Sequence, residues 1–240
     1  MGSDQITTIT FFRYSNFRQK LWAFGMMQFA HRHLAKVKGQ RFYKLMGSGK
    51  GLGFNPLPDW SVYCLLQVWD GHDHAVKFFR TSELANEYRS HAIEVCTIYM
   101  RTIQSQGFWS GIDPFGKGCD ATPDKSYIAV ITRATIKPSK FYSFWRYVPT
   151  SQKPLKNAEG LIYTKGIGEV PIKQMATFSI WKDMECLRKF AYQSDEHQKA
   201  IQMTRRLGWY SEELFARFQP YATAGTWGGE SLLPALEVVN

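Results

Sequence analysis

The segment Ile6–Tyr14 (ITTITFFRY) alternates apolar and small polar positions and is rich in Thr, Ile and Phe, which predicts a strand. Ser15 or Asn16 then caps a helix running to about Lys36 and interrupted at Gly25. Arg41–Met46 reads as a short strand, Gly47–Gly53 as a glycine-rich loop, and Trp60–Trp69 (WSVYCLLQVW) as a strongly apolar strand. Helical stretches follow near His74–Arg80 and Ser82–Ile103, and 107–125 reads as a long connection. A second round then begins. Tyr127–Ile136 predicts a strand, Pro138 opens a helix to about Tyr147, and Gly160–Lys165 and Met175–Trp181 predict strands on either side of a loop at Gly166-Ile167-Gly168. Met184–Tyr192 predicts a helix, and Ser194 caps another running to Leu207.

The two rounds match. TFFRYSNF (Thr10–Phe17) parallels VITRATIK (Val130–Lys137), aligning Arg13 with Arg133, and VYCLLQVWD (Val62–Asp70) parallels MATFSIWKD (Met175–Asp183), aligning Trp69 with Trp181. Each half has the order β-α-β-β-α of a ferredoxin-like unit. The predicted fold class is α+β: two tandem ferredoxin-like repeats, residues 5–120 and 121–240 with its tail, packed sheet to sheet. One chain would thereby make internally the barrel that dimeric α/β-barrel proteins make from two.

Composition narrows the setting. The four cysteines are far apart and form no CxxC pair, which predicts a reducing, cytoplasmic compartment rather than a disulfide framework or zinc site. No apolar run approaches the ~20 residues that cross a bilayer. Nine Lys and Arg residues and no Asp or Glu lie between Gln5 and Pro58, a block that suits nucleic acid, an anionic membrane surface or an anionic ligand, or simply forms a solvated basic face. The segment Phe17–Phe29 places Trp22, Met26 and Phe29 in one apolar stripe. Such a helix either docks on the inner face of an anionic membrane, feeding in a lipophilic substrate, or packs on the sheet. Its aromatics read as apolar-face residues rather than base-stacking ones, so nucleic acid is not an expected partner.

Among candidate sites, Gly47–Gly53 departs from a phosphate-binding loop, because Lys50 is followed by Gly51 and a strand. Asp70, His72, Asp73 and His74 could cluster on a metal, or simply be polar residues of a strand-to-helix link. His197 is the more pointed candidate. Behind the Ser194 cap it shares a helix face with Ala200, Ile201, Thr204 and Gly208, small or apolar residues that leave room beside an imidazole. That setting suits an axial haem ligand; the alternative is a satisfied core histidine.

Several segments together carry a resemblance: FFRY with LWAFGMM, KLMGSGKGLGFNPLPDWSVYCLLQVW, TRATIKP, GIGEVPIKQMATFSIWKD, HQKAI, GWYSEELFARF and GTWGG. From about Thr8 to Gly229 the chain resembles the spheroidene monooxygenase family of carotenoid ketolases and hydroxylases. The resemblance implies a haem-dependent monooxygenase inserting oxygen from O2 near the end of a long apolar polyene, giving a hydroxyl and then a ketone. It also implies haem b with its iron and an external electron donor such as a ferredoxin. The HxxAI segment falls on His197, the expected iron ligand. Arg13 and Arg133 lie in matching places, and either could pair with a haem propionate or form a structural salt bridge. A non-catalytic haem- or lipid-binding protein of the same fold is the alternative.

Overall fold

A computed structural model describes residues 4–53, 55, 57–116, 118–119, 126–152, 155, 157–193 and 206–239. The chain forms two compact units that interleave along the sequence: Met1–Ser48, Asp59–Thr102 and Pro220–Asn240 make the first, Gly49–Pro58 and Ile103–Gln219 the second.

In the first unit, β1 (Ile6–Arg13) lies between β3 (Pro58–Trp69) and β4 (Glu94–Gly107) and is antiparallel to both, with β2 (Gln40–Gly49) beyond β3. Ile6 to Phe12 are all buried, as expected of a central strand covered on both faces. The helices α1 (Phe17–Phe29), α2 (His31–Leu34), α3 (His72–Thr81) and α4 (Glu83–His91) supply the rest of its core. Ala23 and Met26, Ala75 and Phe78, and Leu84, Ala85 and Tyr88 pack with Phe12, Tyr63, Leu65 and Trp69 of the sheet. A capping box starts α1: the Asn16 side chain accepts from the Gln19 N–H, and the Gln19 side chain accepts from the Asn16 N–H.

In the second unit the strand order is β6 (Leu161–Val170), β7 (Gln174–Trp181), β5 (Ile128–Ile136), β8 (Tyr210–Gly225, as far as Gln219). β5 is antiparallel to β7 and β8, and β6 to β7. The helices α5 (Phe141–Gln152) and α6 (Met184–Gln193) lie over one face. The registers repeat: Ile6 faces Trp69 in the first unit, and Ile128 faces Trp181 in the second. The end of β8 returns to the first unit, where it pairs in parallel with β9 (Glu237–Val238).

Four local expectations are corrected. The first helix runs unbroken through Gly25 and ends at Ala30, because one glycine costs only about 1 kcal/mol and the flanking turns are packed. The helix predicted over Ser82–Ile103 stops at His91, and Glu94–Gly107 is β4. Gly166–Gly168 lies inside β6, not in a loop. β2 likewise continues through Gly47 to Gly49, where a Cβ would stand 2.9 Å from the Asn55 carbonyl oxygen. With β4 and β8 added, each round reads strand–helix–strand–strand–helix–strand.

Candidate active site

Both arginines singled out by the sequence lie in paired clamps. Arg13 faces Glu94 across β1 and β4, with its guanidinium 2.8 Å from the carboxylate and 4.2 Å from the Trp227 ring centroid. Glu94 also accepts the Gly229 N–H at 2.8 Å. In the second unit Arg133 sits two residues deeper than this register position. It reaches Glu212 diagonally, because Arg133 faces Leu214 and Glu212 faces Thr135. Its guanidinium lies 5.6 Å from the Trp109 centroid, and Glu212 accepts the N–H groups of Ser110 and Gly111 at 3.0 and 2.7 Å.

One motif builds both clamps: Gly107-Phe108-Trp109-Ser110-Gly111 and Gly225-Thr226-Trp227-Gly228-Gly229. The Phe108 N–H donates to the Glu213 carbonyl and the Thr226 N–H to the Val95 carbonyl, at 2.9 and 3.0 Å. Gly107 and Gly225 have φ of 99° and 78°, and a Cβ on either would lie 2.2 or 2.0 Å from those same carbonyl oxygens, so only glycine fits. Burial alone would raise the pKa of both glutamates. The backbone N–H donors and the arginines outweigh it and hold both below the usual carboxylate value. The motif occurs twice in the sequence, and only its second copy, GTWGG, is among the segments that carry the family resemblance.

The helix-bearing face of the second unit is more open. Across the sheet, Gly166, Thr177, Thr132 and Phe215 stand in one row. Thr132, in the middle of the central strand β5, is exposed, and Thr177 is half-buried. Two apolar clusters flank this row. On one side Ile128, Val130, Trp181 and Leu187 pack with Phe190 and Phe215; on the other Ile136, Phe144, Met175 and Trp209 pack with Trp145 and Leu207. Among the buried donors of this unit that lack a hydrogen-bond partner are Nε of Arg217 and Nε1 of Trp145. Arg217 lies in the next row, opposite Val130, its guanidinium 5.1 Å from the Phe215 centroid.

The first unit fills the matching positions. Aligned on Trp69 and Trp181, Leu65 stands where the second unit has Thr177, Phe12 where it has Ala134, and Tyr63 where it has Met175. Thr10 matches Thr132, but it is fully buried and hydrogen-bonded to Thr97 at 3.0 Å. A cavity of about 110 Å³ remains there, lined by Phe12, Phe78, Phe79, Tyr88 and Tyr99 among others. A cavity of roughly 150 Å³ holds one benzene ring, so this one is too small for a porphyrin or a polyene. The small row of the second unit is therefore the candidate site.

His197 lies outside the described residues, as do its expected face partners Ala200, Ile201 and Thr204. The Asp70–His74 segment does not gather round a metal: Asp70 pairs with Arg41, and His72 Nδ1 is 2.9 Å from the Tyr221 hydroxyl. Among the described residues no group of three or more His, Cys, Asp or Glu side chains could hold a metal ion. His91 stacks on Trp22, ring centroids 3.9 Å apart, and His31 Nδ1 is 3.1 Å from the Tyr43 hydroxyl.

The antiparallel α+β fold is shared with an aldoxime dehydratase crystallised with butyraldoxime (TM-score 0.65, 9% identity, covering 98% of this chain and 86% of that one). No protein-family model matches the chain. Similarity in sequence goes further and defines the class, that of the monooxygenases. The spheroidene monooxygenase of Rhodobacter capsulatus is 34% identical over 230 residues, covering 95% of each chain, and that of Cereibacter sphaeroides is 34% identical over 227 residues, covering 94% of this chain and 70% of that one. The chain belongs to the spheroidene monooxygenase family, and it is an enzyme, a monooxygenase.

Proposed function

We propose that this monooxygenase oxidises a carotenoid or a similar long apolar molecule, hydroxylating it and then forming a ketone, over the small-residue row of the second unit. The observation that carries the reading is the exposed Thr132 on a central strand, between two apolar clusters. A flat apolar cofactor and a polyene end both need such a floor, and the residues present fit haem b in kind. Phe190, Phe215, Phe144 and Trp145 would provide its apolar surroundings, and the unpartnered Arg217 Nε would meet a propionate. His197 is the residue proposed to hold the iron. The described chain on either side of 194–205 is anchored in the two flanking clusters, through Phe190 of α6 and through Leu207.

When bound, haem would supply the redox-active iron that O2 chemistry requires, with electrons from an external donor such as a ferredoxin. The chain's own part is to exclude water with these aromatic walls, leave steric room at Thr132 and Thr177, and fix orientation through Arg217. Arg13 and Arg133 would meet a propionate only by sharing guanidinium groups already held by Glu94 and Glu212. The two units are tandem ferredoxin-like repeats, a reading their repeated element order and register support, and the enzyme works in the cytoplasm.

Titration of the purified protein with haemin, followed by its Soret band, tests the cofactor. Wild type should bind stoichiometrically, and His197→Ala should remove or shift the band. Incubation with a carotenoid and a reductant should then add the mass of oxygen to the substrate. A protein that takes up no haemin would remove the haem reading. One that takes it up but never oxidises a polyene would remove the substrate reading.

A further inference from the structure

We propose that the outward face of α1, together with Trp60, docks the first unit on the surface of an anionic lipid bilayer. An ordinary surface helix is apolar on one side only. This one is apolar on both. Ala23 and Met26 are buried, yet on the opposite side Phe17, Leu21 and Phe24 are 77%, 57% and 53% exposed. Their spacing of i, i+4 and i+7 makes a continuous stripe rather than scattered apolar residues. The Phe24 ring stands 5.3 Å from that of Trp60, which is itself 50% exposed, so the stripe continues onto β3 with an indole at its edge. Tryptophan at the rim of an apolar patch is the arrangement favoured at the boundary between lipid and water.

This stripe is not the one the spacing of Trp22, Met26 and Phe29 suggested. Trp22 turns inward to pack with Tyr14 and Tyr88. Phe29 is exposed, with the Arg32 guanidinium 5.5 Å from its ring centroid.

Charge selects the occupant. Arg18 and Lys20 flank the stripe on either side of the helix, and no Asp or Glu occurs between Gln5 and Ser48, where there are eight Lys and Arg residues. Of these, Arg13 and Arg41 are paired with Glu94 and Asp70. A second copy of the chain would bring like charges together around the stripe, whereas acidic headgroups would neutralise them. The patch is also only four side chains, Phe17, Leu21, Phe24 and Trp60, well short of the roughly 20–30 residues that each partner contributes to a stable dimer. At 13 residues α1 is too short to span a bilayer, and no helix among the described residues is long and apolar enough to do so. The geometry is that of a helix lying in the plane of the interface.

Co-sedimentation with vesicles of phosphatidylcholine, with and without phosphatidylglycerol, tests the proposal. Wild type should bind the phosphatidylglycerol vesicles, and added salt should weaken binding. The triple variant Phe17→Ser, Leu21→Ser, Phe24→Ser should partition at least about tenfold less. Arg18→Glu with Lys20→Glu should lose most of the preference for anionic lipid. All five side chains are on the helix surface, so circular dichroism should report native melting. Should the triple variant not fold, Phe24→Ser with Trp60→Ser gives the same readout. The vesicles contain no carotenoid, so the result stands apart from the oxygenase reading. Failure of wild type to sediment with anionic vesicles would overturn docking. So would variants that bind as well as wild type, or a wild-type dimer in light scattering that the serine substitutions dissociate.

Discussion

Thr177 and Leu65 occupy matching register positions in the two units, and the difference between them is a test of the candidate site. Thr177→Leu would give the second unit the residue that fills the first. Because Thr177 is half-buried and its neighbour Thr132 is exposed, the added methyl groups have room, and the melting temperature should stay level or rise slightly. Haemin uptake and oxygenation should fall by about tenfold or more if the row is the floor of the site, as read by Soret titration and product mass. Arg217→Met should weaken haemin binding by about tenfold to a hundredfold, the value of one charge-assisted hydrogen bond, while leaving the fold intact. Little of this was legible in the sequence. Arg13 and Arg133 stood out, but their glutamate partners lie about 80 positions away and nothing local points to them. Thr132 and Thr177 look like ordinary strand residues, and their meaning comes only from the larger residues at the matching places in the other unit.

The strands and helices with strong local patterns were readable: β1, β3, β5 and β7 alternate or run apolar between clear turn signals, and α6 starts where its apolar spacing begins. β4 and β8 were not. Leu84, Ala85 and Tyr88 continue a helical spacing into Val95 and Ile98, so helix and strand periods overlap there until the β-branched run takes over. β8 carries charged and aromatic residues on one face, which hides its alternation. Both strands end in a glycine that the sequence cannot distinguish from a loop glycine. Gly225→Ala should destabilise the protein by more than about 2 kcal/mol, since it combines positive φ with a Cβ against a backbone carbonyl. Thermal denaturation reads this directly, and Gly228→Ala, where a Cβ meets open space but φ is also positive, should cost less.

For the molecule as a whole, the two clamps set its response to acid. Glu94 and Glu212 both ionise more easily in the folded state than their ordinary value of 4.5. A carboxylate with a lowered folded pKa contributes its stability fully above the unfolded value and loses it as pH falls through the folded one. The melting temperature should therefore be insensitive to these groups at neutral pH and drop below about pH 4.5. Glu212→Gln should lower the neutral-pH stability by about 3 kcal/mol, because it leaves the Arg133 guanidinium, 2% exposed, without its counter-charge. It should also flatten the acid limb of the melting curve.

The crossing of β4 and β8 between the units has a consequence for how the gene can be divided. Each clamp takes its arginine and glutamate from one round of the sequence and its tryptophan–glycine cap from the tail of the strand that closes one round: Trp109 follows β4 and caps Arg133, while Trp227 follows β8 and caps Arg13. A fragment ending near residue 120 would keep Arg13 and Glu94 yet lack Trp227 and Gly229. Expressed alone, it should be poorly folded by proton NMR, and co-expression with the remainder should rescue both pieces. Neither half is a finished protein, and each carries the last piece of the other.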